Sequence, residues 1–136
     1  MPYRVTFVVD LFHGSMQQAL GLGHRALHRM LGTLVEIDCD YLRAHPEVPP
    51  LYESGVRYQV EPKGKEDWQD IPTCLKLGVG DCEDLACWRC AELIVRGRVD
   101  AKPTFLWKKI PGGTLYHIQV LTAQGIEDPS RVLGMQ

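Results

Sequence analysis

The sequence predicts an α+β fold in which a helix with a cysteine in its first turn packs on an antiparallel sheet. Three stretches carry that expectation. Glu83 to about Arg96 follows the glycine-rich turn Leu77-Gly78-Val79-Gly80 and keeps the apolar spacing of a helix. Lys102 to Ile110 and Thr114 to Leu121 read as strands around Pro111-Gly112-Gly113, the composition of a hairpin turn. Upstream, helical spacing runs from Met16 to Ala44.

A chain of 136 residues is long enough for one core and one domain. Within it, 1–45 holds an N-terminal strand and helices, 46–67 a Pro-rich and charged loop region, and 68–136 the core. A hydrophobic share of 45% with 24% charged residues is that of an ordinary globular protein. The net charge of -2 argues against a dedicated nucleic-acid binder. The apolar runs are too short to span a membrane, and the N-terminus lacks the long apolar core of a secretory signal. The 5 cysteines are an odd number, with Cys82, Cys87 and Cys90 crowding one helix. That pattern suits a reducing compartment better than a disulfide framework.

In chain order, Tyr3 to Val9 is β-branched and aromatic, with Tyr3, Val5, Phe7 and Val9 on one face, and reads as a strand. Ser15 is placed to cap the next helix. Met16, Leu20, Leu27, Met30, Leu31 and Leu34 form its apolar face, while Gly21, Gly23 and Gly32 weaken it. His24 and His28 have the spacing of a helical metal pair, but no carboxylate base lies between them. With Arg25 and Arg29 they read as a solvated basic face. Val35 to Ala44 continues the helix, with Ile37, Tyr41 and Leu42 as core contacts. His45-Pro46-Glu47-Val48-Pro49-Pro50 predicts an extended surface loop, because each proline removes a donor and restricts its predecessor. Val56 to Val60 reads as a short strand, and Trp68 to Leu77 as a short helix with Pro72 near its first turn.

From Cys82 onward, Ala86, Cys87, Cys90, Ala91, Leu93 and Ile94 fall on one broad helical face, and Arg89, Glu92 and Arg96 on the other. Gly97 is a natural stop. Thr122 to Gly125 predicts a second turn that pairs Leu121 with Ile126 and sets Asp128 opposite Gln119. His117 and Gln119 share a face, so Asp128 lies diagonal to His117, at roughly 7 Å between backbones. A slip of one residue would send Asp128 to the other face.

These positions suggest a chemistry. A thiol in the first turn of a helix feels unpaired N–H groups and the positive end of the dipole, which favour thiolate. His117 can accept its proton, Asp128 can hold His117 in one tautomer, and the helix N-terminus offers N–H groups to an oxyanion. Glu83 and Asp84 oppose thiolate formation unless they cap the helix, as Asp84 can in a capping box with Asp81. Taken singly, Cys82 reads as buried filler, His117 as a structural residue and Asp128 as turn chemistry. Their joint order is more specific.

Gly80-Asp81-Cys82-Glu83-Asp84-Leu85-Ala86, with Tyr116-His117 and Ile126-Glu127-Asp128-Pro129-Ser130, resembles the transglutaminase-like superfamily of papain-fold cysteine enzymes, in particular small proteins of tailed phages and prophages. Tyr41 to Pro46, Pro49 to Tyr52 and Leu133-Gly134-Met135 are similar to that group too. The resemblance implies a papain-like core with Cys82 as nucleophile, His117 as base and acid, and Asp128 as orienter. It implies an oxyanion or cleft role for Trp68 or Gln69, no cofactor, and an amide of a protein or peptide as substrate. It also implies phage structural proteins as partners and a place in the bacterial host cytoplasm or the virion. A scaffold of the same fold without catalysis is the alternative. A zinc module built on Cys87 and Cys90, completed by Cys74, Cys82 or a histidine, is a weaker one.

Overall fold

The computed structural model describes residues 4, 6, 16–62 and 67–136. The strand expected over Tyr3 to Val9, the cap at Ser15 and the middle of the charged stretch (63–66) lie outside the described residues. Among the described residues the chain combines helices with two small sheets. Among the described residues, no helix is long and apolar enough to cross a membrane.

Helix α1 (Met16–Ala44) runs unbroken for 29 residues through Gly21, Gly23 and Gly32. Each glycine costs about 1 kcal/mol of helix propensity, and burial of Leu31, Leu34, Val35 and Cys39 against the rest of the core outweighs it. The buried stripe also includes Asp38. Met30 and Ile37, expected in the core, are exposed, because the stripe that meets the core runs beside them. The basic face is likewise only partly solvated: the His24 ring sits among Trp107, Phe105 and Tyr116, with centroids 4.9, 5.5 and 5.8 Å away.

After α1 the proline-rich segment turns and enters a 3-10 turn at Leu51–Glu53. Its loop is not wholly superficial, since Leu51 is fully buried. Strand β1 (Arg57–Tyr58) pairs in parallel with β2 (Val79–Gly80), Tyr58 opposite Gly80. Between them lies α2 (Ile71–Leu77), capped by Asp70, whose carboxylate accepts the Thr73 N–H, and ended by Gly78 at φ 77°. The expected glycine turn therefore divides into a left-handed helix stop, open to glycine, and a strand. Gly80 has a second constraint. A Cβ there would meet Leu85 Cδ2 at 3.0 Å, and Asp84 Cβ and Cys74 Sγ at 3.3 Å, in a fully packed region. Gly80→Ala is expected to lower stability by about 1–3 kcal/mol through overpacking. An unshifted urea midpoint would contradict this.

Helix α3 (Cys82–Val95) is the centre of the molecule. One side packs with α1 and with Ile118 and Val120 of the sheet. The other, through Leu85 and Trp88, packs with Leu51, Val56, Ile71, Cys74 and Leu133. The polar face expected at Arg89 and Glu92 is consequently not solvated; Glu92 is 4% exposed and ion-paired with Arg89 at 3.1 Å. Strands β3 (Lys102–Ile110), β4 (Gly113–Thr122) and β5 (Gly125–Glu127) form an antiparallel sheet in the order β3-β4-β5. The predicted pairing of Leu121 with Ile126 is the observed register. Beyond Asp128 the chain turns into the short helix α4 (Pro129–Val132), where only an end to pairing was expected. The Leu133 carbonyl then accepts the Tyr58 N–H at 3.0 Å, closing the tail over β1.

Candidate active site

The start of α3 is fixed by carboxylates. Asp81 caps the helix in extended conformation, its Oδ1 accepting the Cys82 N–H at 2.7 Å, while Asp84 Oδ2 accepts the Asp81 N–H at 3.0 Å to complete a capping box. The other Asp84 oxygen takes the Gln69 N–H at 2.8 Å, and the other Asp81 oxygen the Glu61 N–H at 3.1 Å. Asp84 thus has the capping role expected of it, and it also ties the segment before α2 to the helix.

The histidine and aspartate meet at the edge of β4. Strand β5 covers that edge only as far as the pair Val120–Glu127, so Asp128 stands just beyond the ladder. Its Oδ2 accepts from His117 Nε2 at 2.8 Å and from Gln119 Nε2 at 3.2 Å. Side chains have closed the diagonal, as the register predicted. An ionised carboxylate only accepts, so the proton of neutral His117 belongs on Nε2 and its Nδ1 presents a lone pair. Burial opposes ionisation of Asp128, but the bonds from His117 and Gln119 outweigh it and hold the carboxyl below its ordinary value.

Cys82 lies against this edge. The backbone N–H of Ile118, next in chain after His117, faces the sulfur and favours its anion, and Glu83 Oε2 is 3.4 Å from Sγ. The expected low thiol pKa is overturned. Burial, and then the Glu83 charge, push the thiol well above its ordinary value, and the Ile118 N–H offsets only part of this. The helix dipole acts on a sulfur already removed from water, where desolvation is the larger effect. The oxyanion site expected at the helix start is also altered. The Cys82 and Asp84 N–H groups are taken by Asp81, and that of Glu83 lies beside its own carboxylate.

Trp68 packs, half-buried, against the cluster that contains Cys82. Gln69 is committed elsewhere: its amide donates to the Val79 carbonyl at 3.0 Å and lies 3.6 Å from Cys74 Sγ, so in this arrangement it is not an oxyanion donor. Cys87 and Cys90 are fully buried, and Cys87 donates to the Leu31 carbonyl. Among the described residues neither belongs to a group of three ligand side chains. Such groups are Asp81-Cys82-Glu83 and Glu61-Glu83-Asp84, each with atoms within 4.8 Å of one another. Carboxylates this close relieve their repulsion by holding a proton, and Glu83 and Asp84 are both pushed upward, by burial first.

Two further residues belong to the site, Gln119, which the register sets opposite Asp128, and Tyr58. Gln119 was placed on the face of His117, and that signal was sufficient to find its bond to Asp128. Tyr58 gave none, because its neighbours arrive through the parallel β1–β2 pairing. Burial, together with the charges of Asp81, Cys82, Glu83 and Asp128, pushes its hydroxyl up to about 12.

Comparison with protein-family models, with curated proteins and with solved structures returned no match to this chain.

Proposed function

We propose that this protein is a cysteine-dependent acyl-transfer enzyme acting on an amide of a protein or peptide, with Cys82 as nucleophile, His117 as general base and acid, and Asp128 as orienter. The observation that carries it is the 2.8 Å bond between His117 Nε2 and Asp128, made at the strand edge where the Cys82 sulfur meets the Ile118 N–H. The resemblance of Gly80 to Ala86 to the transglutaminase-like superfamily agrees with a papain-like core for this arrangement.

The proton arithmetic fits a thiol that rests neutral. His117 Nδ1 takes the Cys82 proton as sulfur attacks the carbonyl carbon, and the tetrahedral intermediate collapses as His117 returns it to the leaving amine. Water or a second amine then releases the acyl group from sulfur by the reverse order of transfers. Asp128 stays ionised throughout and stabilises the imidazolium.

One feature favours a second reading, a non-catalytic virion or assembly protein on the same scaffold: the thiol is buried and held protonated at rest. The two separate in one experiment. An electrophilic amide-mimetic thiol probe, read by intact mass and peptide mapping, is expected to label Cys82 and to give no adduct there in Cys82→Ala. His117→Ala is expected to slow labelling by about 10²-fold, the ordinary contribution of a positioned base, and Asp128→Ala by a smaller factor. Labelling of Cys82 at full rate in His117→Ala sinks the triad and leaves the scaffold.

A further inference from the structure

The acidic residue beside the nucleophile is the feature this mechanism leaves unexplained. Glu83 is 5% exposed, its Oε2 lies 3.4 Å from Cys82 Sγ, and its Oε1 is buried with no hydrogen-bond partner among the described residues. The titratable and charged groups facing this pocket come from several elements. Asp81, Cys82 and Asp84 belong to the start of α3, Tyr58 to β1 and Glu61 to the segment after it, and Asp128, which holds His117, also acts on Tyr58. Atoms of Glu61, Glu83 and Asp84 gather within 4.8 Å. An ionised Glu83 would sit among like charges and face the very sulfur that must become an anion. A neutral Glu83 would reverse both effects.

We propose that Glu83 is a further catalytic residue: a neutral carboxylic acid whose O–H donates a hydrogen bond to the Cys82 thiolate. The proposal rests on Cys82 being the nucleophile. In the resting state the thiol S–H donates to Glu83 Oε2. When His117 Nδ1 has taken the thiol proton, the contact reverses and the Glu83 O–H donates to sulfur. Glu83 keeps its own proton from start to finish, so no other group need supply or take one. The role also fills a gap in the site, since the first-turn N–H groups of α3 are occupied by carboxylates and, among the described residues, Ile118 offers the backbone N–H that faces the sulfur. Burial first, then proximity to Asp84 and Asp81, holds the Glu83 carboxyl above its ordinary value, in the direction the role requires.

The test compares two near-isosteric substitutions by the rate at which iodoacetamide labels Cys82 at neutral pH. Glu83→Gln keeps a neutral donor, and Glu83→Leu keeps bulk without one. Glu83→Gln is expected to label within about 3-fold of the native protein and Glu83→Leu at least about 10-fold more slowly, tenfold corresponding to the loss of one hydrogen bond to a charged group. If Glu83 is instead an ionised, hostile neighbour, both substitutions accelerate labelling, and the proposal is overturned. The same pair made in a His117→Ala background separates the two claims. A Gln–Leu difference that persists there upholds the Glu83–sulfur bond even if the triad fails, and its disappearance refutes that bond. Should Glu83→Leu not fold, difference infrared spectra of the native protein and Glu83→Gln decide the matter. The carbonyl stretch of a protonated acid must be lost in the variant, and its absence from the native protein would overturn the proposal.

Discussion

Raising the pH from 5 to 8 is expected to destabilise this protein, and Asp38→Asn is expected to remove a large part of the loss. Asp38 lies on the buried stripe of α1, fully enclosed, with Oδ1 accepting the Ile71 N–H at 3.0 Å and Oδ2 unpartnered among the described residues. Burial raises its pKa to about 8, with Asp70 and Asp84 adding to it against the Ile71 bond. A group whose folded pKa exceeds its unfolded one contributes stability that is whole below the unfolded value and is lost as pH rises through the folded value. For Asp38 the window runs from its ordinary 3.8 to about 8. The slope inside it is about 1.4 kcal/mol per pH unit, so three units remove at most about 4 kcal/mol. Glu83 and Asp84, also raised, act in the same direction. Asp128 and Glu127 are held low, so their share is present above the ordinary carboxylate range and is lost as pH falls through their depressed values. The maximum is therefore expected near pH 4–5, below the usual range for globular proteins. Asparagine at position 38 keeps the oxygen for Ile71 and adds no charge. Urea unfolding of both proteins at pH 5 and 8 measures the difference; equal slopes with pH would show that Asp38 ionises freely in the fold.

Arg89→Ala is expected to cost about 2–4 kcal/mol, toward the lower end of the penalty for removing one partner of a buried ion pair, because Glu92 is nearly dry while Arg89 and Glu127 are partly exposed. Arg89 projects from α3 between two carboxylates, Glu92 at 3.1 Å and Glu127 at 2.5 Å, with its guanidinium 4.9 Å from the centre of the Tyr52 ring. Tyr52 donates its hydroxyl to Glu127, and Glu92 accepts the Leu51 N–H. One cation thus joins the central helix to the 3-10 turn and to β5. Its removal leaves Glu92 charged and nearly dry. Glu127 is better placed to recover hydration, being about one-third exposed. The double substitution Arg89→Ala with Glu92→Gln is expected to regain part of the loss by removing the stranded charge. Denaturant midpoints of the single and double variants provide the measurement, and a single variant within 1 kcal/mol of the native protein would contradict the argument. The clamp also holds Glu127, whose neighbour is Asp128. Arg89→Ala should therefore slow Cys82 labelling beyond what instability explains at low denaturant.

The legible parts of the molecule are those decided locally. Periodicity located α1 and α3, and Pro72 near a first turn pointed to α2; strand runs around Pro111-Gly112-Gly113 marked the hairpin; the Asp81–Asp84 spacing implied the capping box; and the length of the Thr122–Gly125 turn fixed the register that brings Asp128 to His117. Such features depend on residues within a few positions of each other, or on a turn whose geometry propagates along a ladder. The exposure of Met30 and Ile37 and the burial of Asp38 and Glu92 were not legible. A helix pattern shows which residues share a face, but only the neighbouring elements decide which face is covered, and α3 is covered on nearly all sides. The electrostatics of Cys82 were misread for the same reason. Sequence set the sulfur at a helix start, where the dipole favours thiolate. The fold then removed it from water, placed Glu83 beside it and closed the helix N–H groups with carboxylates. Which ionisation state a side chain prefers depends on the dielectric and the charges around it, and these are properties of the assembled core.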